Sequence, residues 1–143
     1  ENKIFTRPRL LPPSKFRNSN INQSLISEGC IINANEIKNS VIGIRSRIGN
    51  GTVIKHSYVM GNDFYQDLDE MNRDTINNKI HVGIGENCYI KNALIDKNVR
   101  IGNNVHINGG KHLENFTNDL YSIKDGIVVI KKGAILPDNF RID

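Results

Sequence analysis

The stretch Ile42-Gly43-Ile44-Arg45-Ser46-Arg47-Ile48-Gly49-Asn50-Gly51-Thr52-Val53-Ile54 decides the fold. Its anchors Ile42, Ile48 and Ile54 stand six residues apart, and Met60 continues the series. Gly43 and Gly49 follow the first two anchors, and the small residues Ser46 and Thr52 come four places after them. An amphipathic helix needs apolar spacings of three and four, and those do not persist here. Working outward, Ile26 and Ile32 precede the stretch, while Ile84 and Ile90, then Ile95, Ile101 and Ile107, follow it at the same interval. The small position recurs as Cys30, Cys88, Val99 and Val105.

This aliphatic-Gly-x-x-small-x unit is the hexapeptide repeat of a parallel β-helix. Each unit forms one short strand on a flat side of a triangular coil. The anchor points inward, the small residue fits the tight space near a corner, and Gly, Asn and Asp tolerate the corner dihedrals. Asn50, Asn87, Asn98, Asn103 and Asn104 fall in such turns. Three units predict a coil of 18 residues, with successive coils stacked at about 4.8 Å. The inward small position also gives Cys30 and Cys88 a role as two buried free thiols. With no CxxC pair in the sequence, a zinc knuckle is excluded.

Composition agrees with a single domain whose core is aliphatic. The chain has 143 residues, no Trp, 6% aromatics and 24% charged residues, too balanced for wholesale disorder. The formal charge of +4 is mild and the two signs are interspersed, which does not argue for nucleic acid. No apolar run approaches the roughly 18 residues of a membrane span. The opening Glu1-Asn2-Lys3 lacks a start Met, so the chain reads as a fragment or processed piece, and its ends reveal no compartment.

Two segments break the period. Residues 61–81 and 108–125 carry both charge signs and read as loops thrown out from a corner, the first with a helical turn around Asp67–Asn72. The pattern resumes at Gly126-Ile127-Val128-Val129-Ile130 and runs on through Ala134, Ile135 and Ile142. Residues 1–20 differ again: Arg7-Pro8-Arg9-Leu10-Leu11-Pro12-Pro13-Ser14-Lys15 reads as an extended strap. The expected organisation is therefore a strap over 1–20, entering from an upstream domain, and a β-helix over 21–143.

Several strings resemble one family in order along the chain. Thr6-Arg7-Pro8-Arg9-Leu10-Leu11-Pro12-Pro13-Ser14-Lys15 resembles the strap after the catalytic domain of plant-type and cyanobacterial ADP-glucose pyrophosphorylases (glucose-1-phosphate adenylyltransferases). Ser40-Val41-Ile42-Gly43-Ile44-Arg45-Ser46-Arg47-Ile48 is similar to the family's first coil, and Met60-Gly61-Asn62-Asp63-Phe64-Tyr65 to its Met-Gly-Ala-Asp-Tyr-Tyr string. Gly83-Ile84-Gly85-Glu86-Asn87, Ile95-Asp96-Lys97-Asn98-Val99-Arg100-Ile101-Gly102 and Asp125-Gly126-Ile127-Val128-Val129-Ile130 follow in the family's order. The Arg45-Ser46-Arg47 string is closer to the large, regulatory subunit of plants. Gly133 departs from the expected Asp, Asn or Lys, and the loop Asn108–Tyr121 has its own sequence.

The resemblance implies an all-β, left-handed parallel β-helix that forms the carboxy-terminal part of a nucleotidyltransferase. Left-handedness is the resemblance's contribution, since parallel crossovers are usually right-handed. The parent converts ATP and glucose 1-phosphate to ADP-glucose and pyrophosphate in starch or glycogen synthesis. Its Mg²⁺ and ATP belong to the upstream catalytic domain, and no phosphate-binding Gly-rich loop occurs here. The isolated chain is expected to catalyse nothing and to need no cofactor. Its implied roles are assembly, within a homo- or heterotetramer, and control by small phosphorylated effectors. A plant or algal parent would be plastidial and a bacterial one cytoplasmic. The effector residues carried over by position are Arg9, Lys97 and Lys132, with Lys131 one residue away. A phosphate group calls for two or three converging basic side chains.

Other uses of the same coil stay open at this point. A hexapeptide acyltransferase would use a coil histidine as general base, for which His56 and His106 are the candidates. A shared zinc site would need histidines near multiples of a coil apart, and His81, His106 and His112 do not fall so. A third class is a purely structural assembly module. Arg45 and Arg47 are expected to face solvent or a partner, and Tyr65 either to pack on a neighbouring domain or to cover the coil edge.

Overall fold

A computed structural model describes residues 10–143. Short parallel strands of two to four residues wind into a triangular coil with three sheets as its faces. The first face stacks Lys15–Phe16, Ile31–Ile32, Arg47–Ile48, Gly83–Ile84, Arg100–Ile101 and Ile135–Leu136. The second stacks Asn20–Asn22, Glu36–Lys38, Val53–Lys55, Tyr89–Lys91, His106–Asn108 and Arg141–Ile142. The third stacks Leu25–Ile26, Val41–Ile42, Tyr58–Val59, Ala93–Ile95 and Ile127–Ile130.

Register is in phase throughout, so each inward anchor sits on its counterpart in the coil below. Ile32 pairs with Ile48, Ile48 with Ile84 and Ile84 with Ile101 on the first face. Ile37, Ile54, Ile90 and Ile107 do the same on the second. All of these are buried, as are Cys30, Cys88, Ser46 and Thr52 at the small positions. Both thiols are free, and burial pushes each above the ordinary thiol range.

The coil is tighter than 18 residues. Ile32 to Ile48 is 16 and Ile37 to Ile54 is 17. The side that ends on the third face is five residues long where the sequence reading gave it six. Val59, not Met60, is therefore the inward anchor, and Leu136, not Ile135, fills the core on the last coil. Left-handed backbone makes the shortening feasible. Gln23, Asn39, His56 and Asn92, all with φ near +50°, stack at the corner between the second and third faces. A second column, Asn18, Gly51, Asn87, Asn104 and Asn139, turns the chain from the first face to the second. A third, Gly29, Arg45, Asn98 and Gly133, turns it from the third face to the first. Asn and Gly dominate because they reach this region at least cost.

Pairing starts earlier than the expected boundary at residue 21. Lys15–Phe16 already pairs with Ile31–Ile32. The Ser14 hydroxyl accepts from Cys30 N–H, and Gly29 N–H donates to Pro12 C=O at 2.8 Å. The Pro-Pro strap thus lays its acceptors on the first coil instead of running free of it.

Both insertions are more ordered than loops. The first holds a helix, Leu68–Ile76, started by a reciprocal cap: Asp67 accepts from Glu70 N–H, and Glu70 accepts from Asp67 N–H. The second corrects the expectation of an unpaired loop. Tyr121–Lys124 and Phe116–Thr117 extend the third face as antiparallel strands. Asp125 and Gly126 both have positive φ, +51° and +82°, which is what a two-residue Asp-Gly hairpin turn demands.

Ile48 and Ile101 are sealed on all sides, so Ile48→Ala or Ile101→Ala should cost about 2–5 kcal/mol through lost burial and a residual cavity. Asn103 lies at a corner, where its side chain accepts from Glu86 N–H, and Asn103→Ala should cost nearer 1 kcal/mol. Urea unfolding of the three variants measures the difference. Equal losses would contradict the inward–outward assignment.

Candidate functional site

The corner between the third and first faces gathers a set of polar contacts around Asp63. Lys97 Nζ donates to Asp63 Oδ1 at 2.9 Å, and Asn98 Nδ2 donates to Asp63 Oδ2 at 3.0 Å. Asp63 N–H in turn donates to Asn98 Oδ1 at 2.9 Å. These contacts hold the Asp63 carboxyl below the usual carboxylate range, the Lys97 hydrogen bond foremost and Asn98 next. The Lys132 charge adds the smallest of the pulls in the same direction.

The fold explains the convergence. Gly133 N–H donates to Lys97 C=O at 2.9 Å, so the two lysines sit on facing corners of adjacent coils. The sequence interval between them suggests almost two coils, but the hairpin consumes the excess. Asn98 (φ +60°) and Gly133 (φ +71°) each follow their lysine in left-handed backbone. That geometry accounts for glycine at 133, where a Cβ would meet nothing yet the φ is unfavourable for most residues.

Lys131 and Lys132 separate cleanly. Lys131 Nζ donates to Asn118 C=O and thereby ties down the hairpin. Lys132 is exposed. Of the carried-over residues, Lys97 and Lys132 are brought together, and Arg9 lies outside the described residues.

The chain leading from Asp63 is anchored at every step. Arg45 is not free to face solvent: its Nη1 donates to Asn62 C=O at 3.3 Å, and its guanidinium lies 5.6 Å from the Tyr65 ring centre. Asn62 is buried and donates to Arg45 C=O. Tyr65 covers the coil edge, donating from its hydroxyl to Gly29 C=O at 2.9 Å. Gln66 bridges Asp74 and Val82 N–H, and Arg100 donates to Asp74 Oδ2 at 2.8 Å and to Ile80 C=O. The insertion is therefore clamped to the first face by Arg100. Sequence reading quoted Asp63 within a family string but gave it no role. The available signal was an acid four residues past the end of the third-face strand Tyr58–Val59, at the same corner as Lys97.

The histidines do not converge. His106 stacks on Tyr89 with ring centres 5.0 Å apart, and its Nε2 is 3.4 Å from Asp143 Oδ1 on an outward face. His56 occupies a left-handed corner beside Asn39, and His81 is bonded to Thr75 and Met71 C=O inside the insertion. Among the described residues, no group of three His, Cys, Asp or Glu gathers as a metal site requires. Among the described residues, no such ligand set fits the Mg²⁺ of the resembled family.

With the geometry established, one comparison bears on it. A family model described as the GLGC left-handed parallel beta-helix domain matches residues 9–140. The match takes in both insertions and every rung but the last, Arg141–Ile142, and it gives the coil its left hand.

Asp74 is held below the usual carboxylate range, first by the Gln66 amide and then by Arg100. A carboxylate depressed by folding stabilises the fold above its unfolded value, about 3.9, and that contribution is lost as pH falls through the folded value. Acidification below pH 4 should thus open the insertion, and Asp74→Asn should open it at neutral pH. Limited proteolysis across 66–82 reads the opening, with the coils as the resistant remainder. Wild-type cleavage rates in Asp74→Asn would refute the clamp.

Proposed function

This chain belongs to the GLGC left-handed parallel β-helix domain family, and from that premise we propose that it is the control and assembly part of a glucose-1-phosphate adenylyltransferase. The family implies a nucleotidyltransferase parent. In this reading the parent joins ATP and glucose 1-phosphate into ADP-glucose, releasing pyrophosphate, in starch or glycogen synthesis. The chemistry takes place in an upstream catalytic domain that supplies the ATP and Mg²⁺ sites. The β-helix itself performs no bond-making step.

The observation that carries the control role is the pair Lys97 and Lys132 at the same corner of adjacent coils. Two lysines at one corner of adjacent coils, one of them bonded to Asp63, offer a phosphorylated metabolite two charge-assisted contacts. Hydrogen bonds to charged groups contribute roughly 1.5–3 kcal/mol each when partly buried. The Lys97 side chain is 31% exposed, so it is reachable yet partly desolvated. Arg9 remains a third basic candidate from the strap.

The observation that supports assembly is on the third face. Its outward column reads Leu25, Val41, Tyr58, Leu94 and Val129, in register and without a charge. Leu25 and Tyr58 are exposed. Contiguous apolar surface of this kind marks interaction sites, and another subunit of the parent is the proposed occupant.

Two outcomes are expected in the full-length parent. Lys97→Glu and Lys132→Glu should each raise the half-activating concentration of a phosphorylated activator about tenfold or more, since 1.4 kcal/mol is a factor of ten. Basal turnover should stay near wild type. Unchanged activation curves for both variants would overturn the control role. Separately, Leu94→Glu should shift the parent to smaller assemblies in sedimentation, with its circular dichroism retained. An unchanged assembly state would remove the third face from the interface.

A further inference from the structure

We infer that Asp63 is a built-in competitor at this corner: a carboxylate that fills the anion position until a phosphate dianion displaces it. The inference rests on the control reading above and names both the ligand's charge and the element that responds to it.

The carboxylate sits where an external anion would have to sit. One oxygen takes the Lys97 ammonium at 2.9 Å and the other takes the Asn98 amide at 3.0 Å. An anion approaching Lys97 therefore meets a site whose strongest donors are occupied. The contact is nonetheless a weak one to replace. It is a single ion pair between side chains 31% and 42% exposed, and exposed pairs of this kind contribute little. A monoanion would offer Lys97 no more charge than Asp63 already does. A phosphate dianion offers twice the charge and three acceptor oxygens. It can engage Lys97 and the neighbouring Lys132 together, whereas the Asp63 carboxylate takes its hydrogen bonds from Lys97 and Asn98. The site is thus selective for phosphate over carboxylate metabolites because a carboxylate is already resident.

Displacement has somewhere to go. Asp63 begins the segment that leads through Tyr65, bonded to Gly29, and Gln66, bonded to Asp74 and Val82, into the helix Leu68–Ile76. Releasing its carboxylate removes one of the tethers that hold the insertion on the coil. Binding at the corner and looseness of the insertion are therefore linked, and each biases the other.

The test uses calorimetry with inorganic phosphate on the full-length protein, comparing wild type, Asp63→Asn, Lys97→Glu and the double variant. Asparagine keeps the size and the backbone N–H bond to Asn98 but removes the charge. If Asp63 occupies Lys97 for about nine-tenths of the time, freeing it should tighten phosphate binding about tenfold. That gain should vanish in the double variant with Lys97→Glu. Asp63→Ser serves as the second variant should Asn perturb the turn, with the same expected direction. If Lys97→Glu loses phosphate binding but both Asp63 variants bind as weakly as wild type or more weakly, the competitor role is refuted and the control reading stands. If Lys97→Glu leaves phosphate binding unchanged, both fall together.

Discussion

In-register pairing of one coil with the next is the constraint on which everything else in this molecule depends. Strands of two to four residues have no independent stability. Each survives because its N–H and C=O groups meet those of the coils above and below, as where Ile31 N–H donates to Ser46 C=O and Gly49 N–H to Ile84 C=O. Phase locking of this kind stacks like on like. Isoleucine lies on isoleucine inside, and the buried hydroxyls of Ser40 and Ser57 accept the N–H groups of Ser57 and Ala93 in the next coil. Among the described residues no buried side-chain polar atom is left unpartnered. Stability in such an array is close to a sum of coil and interface contributions, so a defect in one rung is felt mainly by its neighbours.

The same rule builds the candidate site. A corner residue in left-handed backbone recurs at the same corner one coil on, and whatever flanks it recurs as well. Lys97 before Asn98 and Lys132 before Gly133 are one geometric position used twice. Sequence distance between them is irrelevant, because the hairpin that separates them leaves the coil after Asn108 and returns at Ile127. Asp63 enters from the other insertion, which also leaves and rejoins the coil next to this corner. Two interruptions of the repeat thus frame a corner where Lys97 is bonded to an acid and Lys132 stands on the next coil.

The core was legible because its period is a direct consequence of strand geometry: Ile42, Ile48, Ile54, Ile90 and Ile107 could be assigned inward from spacing alone. The five-residue side was not, because Gln23 and His56 are not residues that announce a left-handed corner, and the step from Ile54 to Val59 hides behind an adjacent Met60. The hairpin was missed although Asp125-Gly126 carries its turn chemistry, because the preceding strand, Tyr121–Lys124, lies in a stretch without hexapeptide pattern. At the site, Lys97 and Lys132 were legible only through family resemblance. Their separation in space depends on how many residues the hairpin takes out of the coil, which spacing does not disclose. The role of Asp63 was invisible for the same reason: it is a contact 34 residues distant in sequence.

Stacking brings Asp63, Lys97, Asn98, Lys132 and Gly133 to one corner of the coil, and the anion site we propose there is the centre of the control reading. Residue-resolved amide NMR of the chain during titration with inorganic phosphate tests it most directly. The account predicts saturable shifts concentrated at Asp63, Lys97, Asn98, Lys132 and Gly133, with lesser ones spreading along 64–76. Shifts that never saturate, or that cluster on the opposite corner around Asn39, His56 and Asn92, would contradict it.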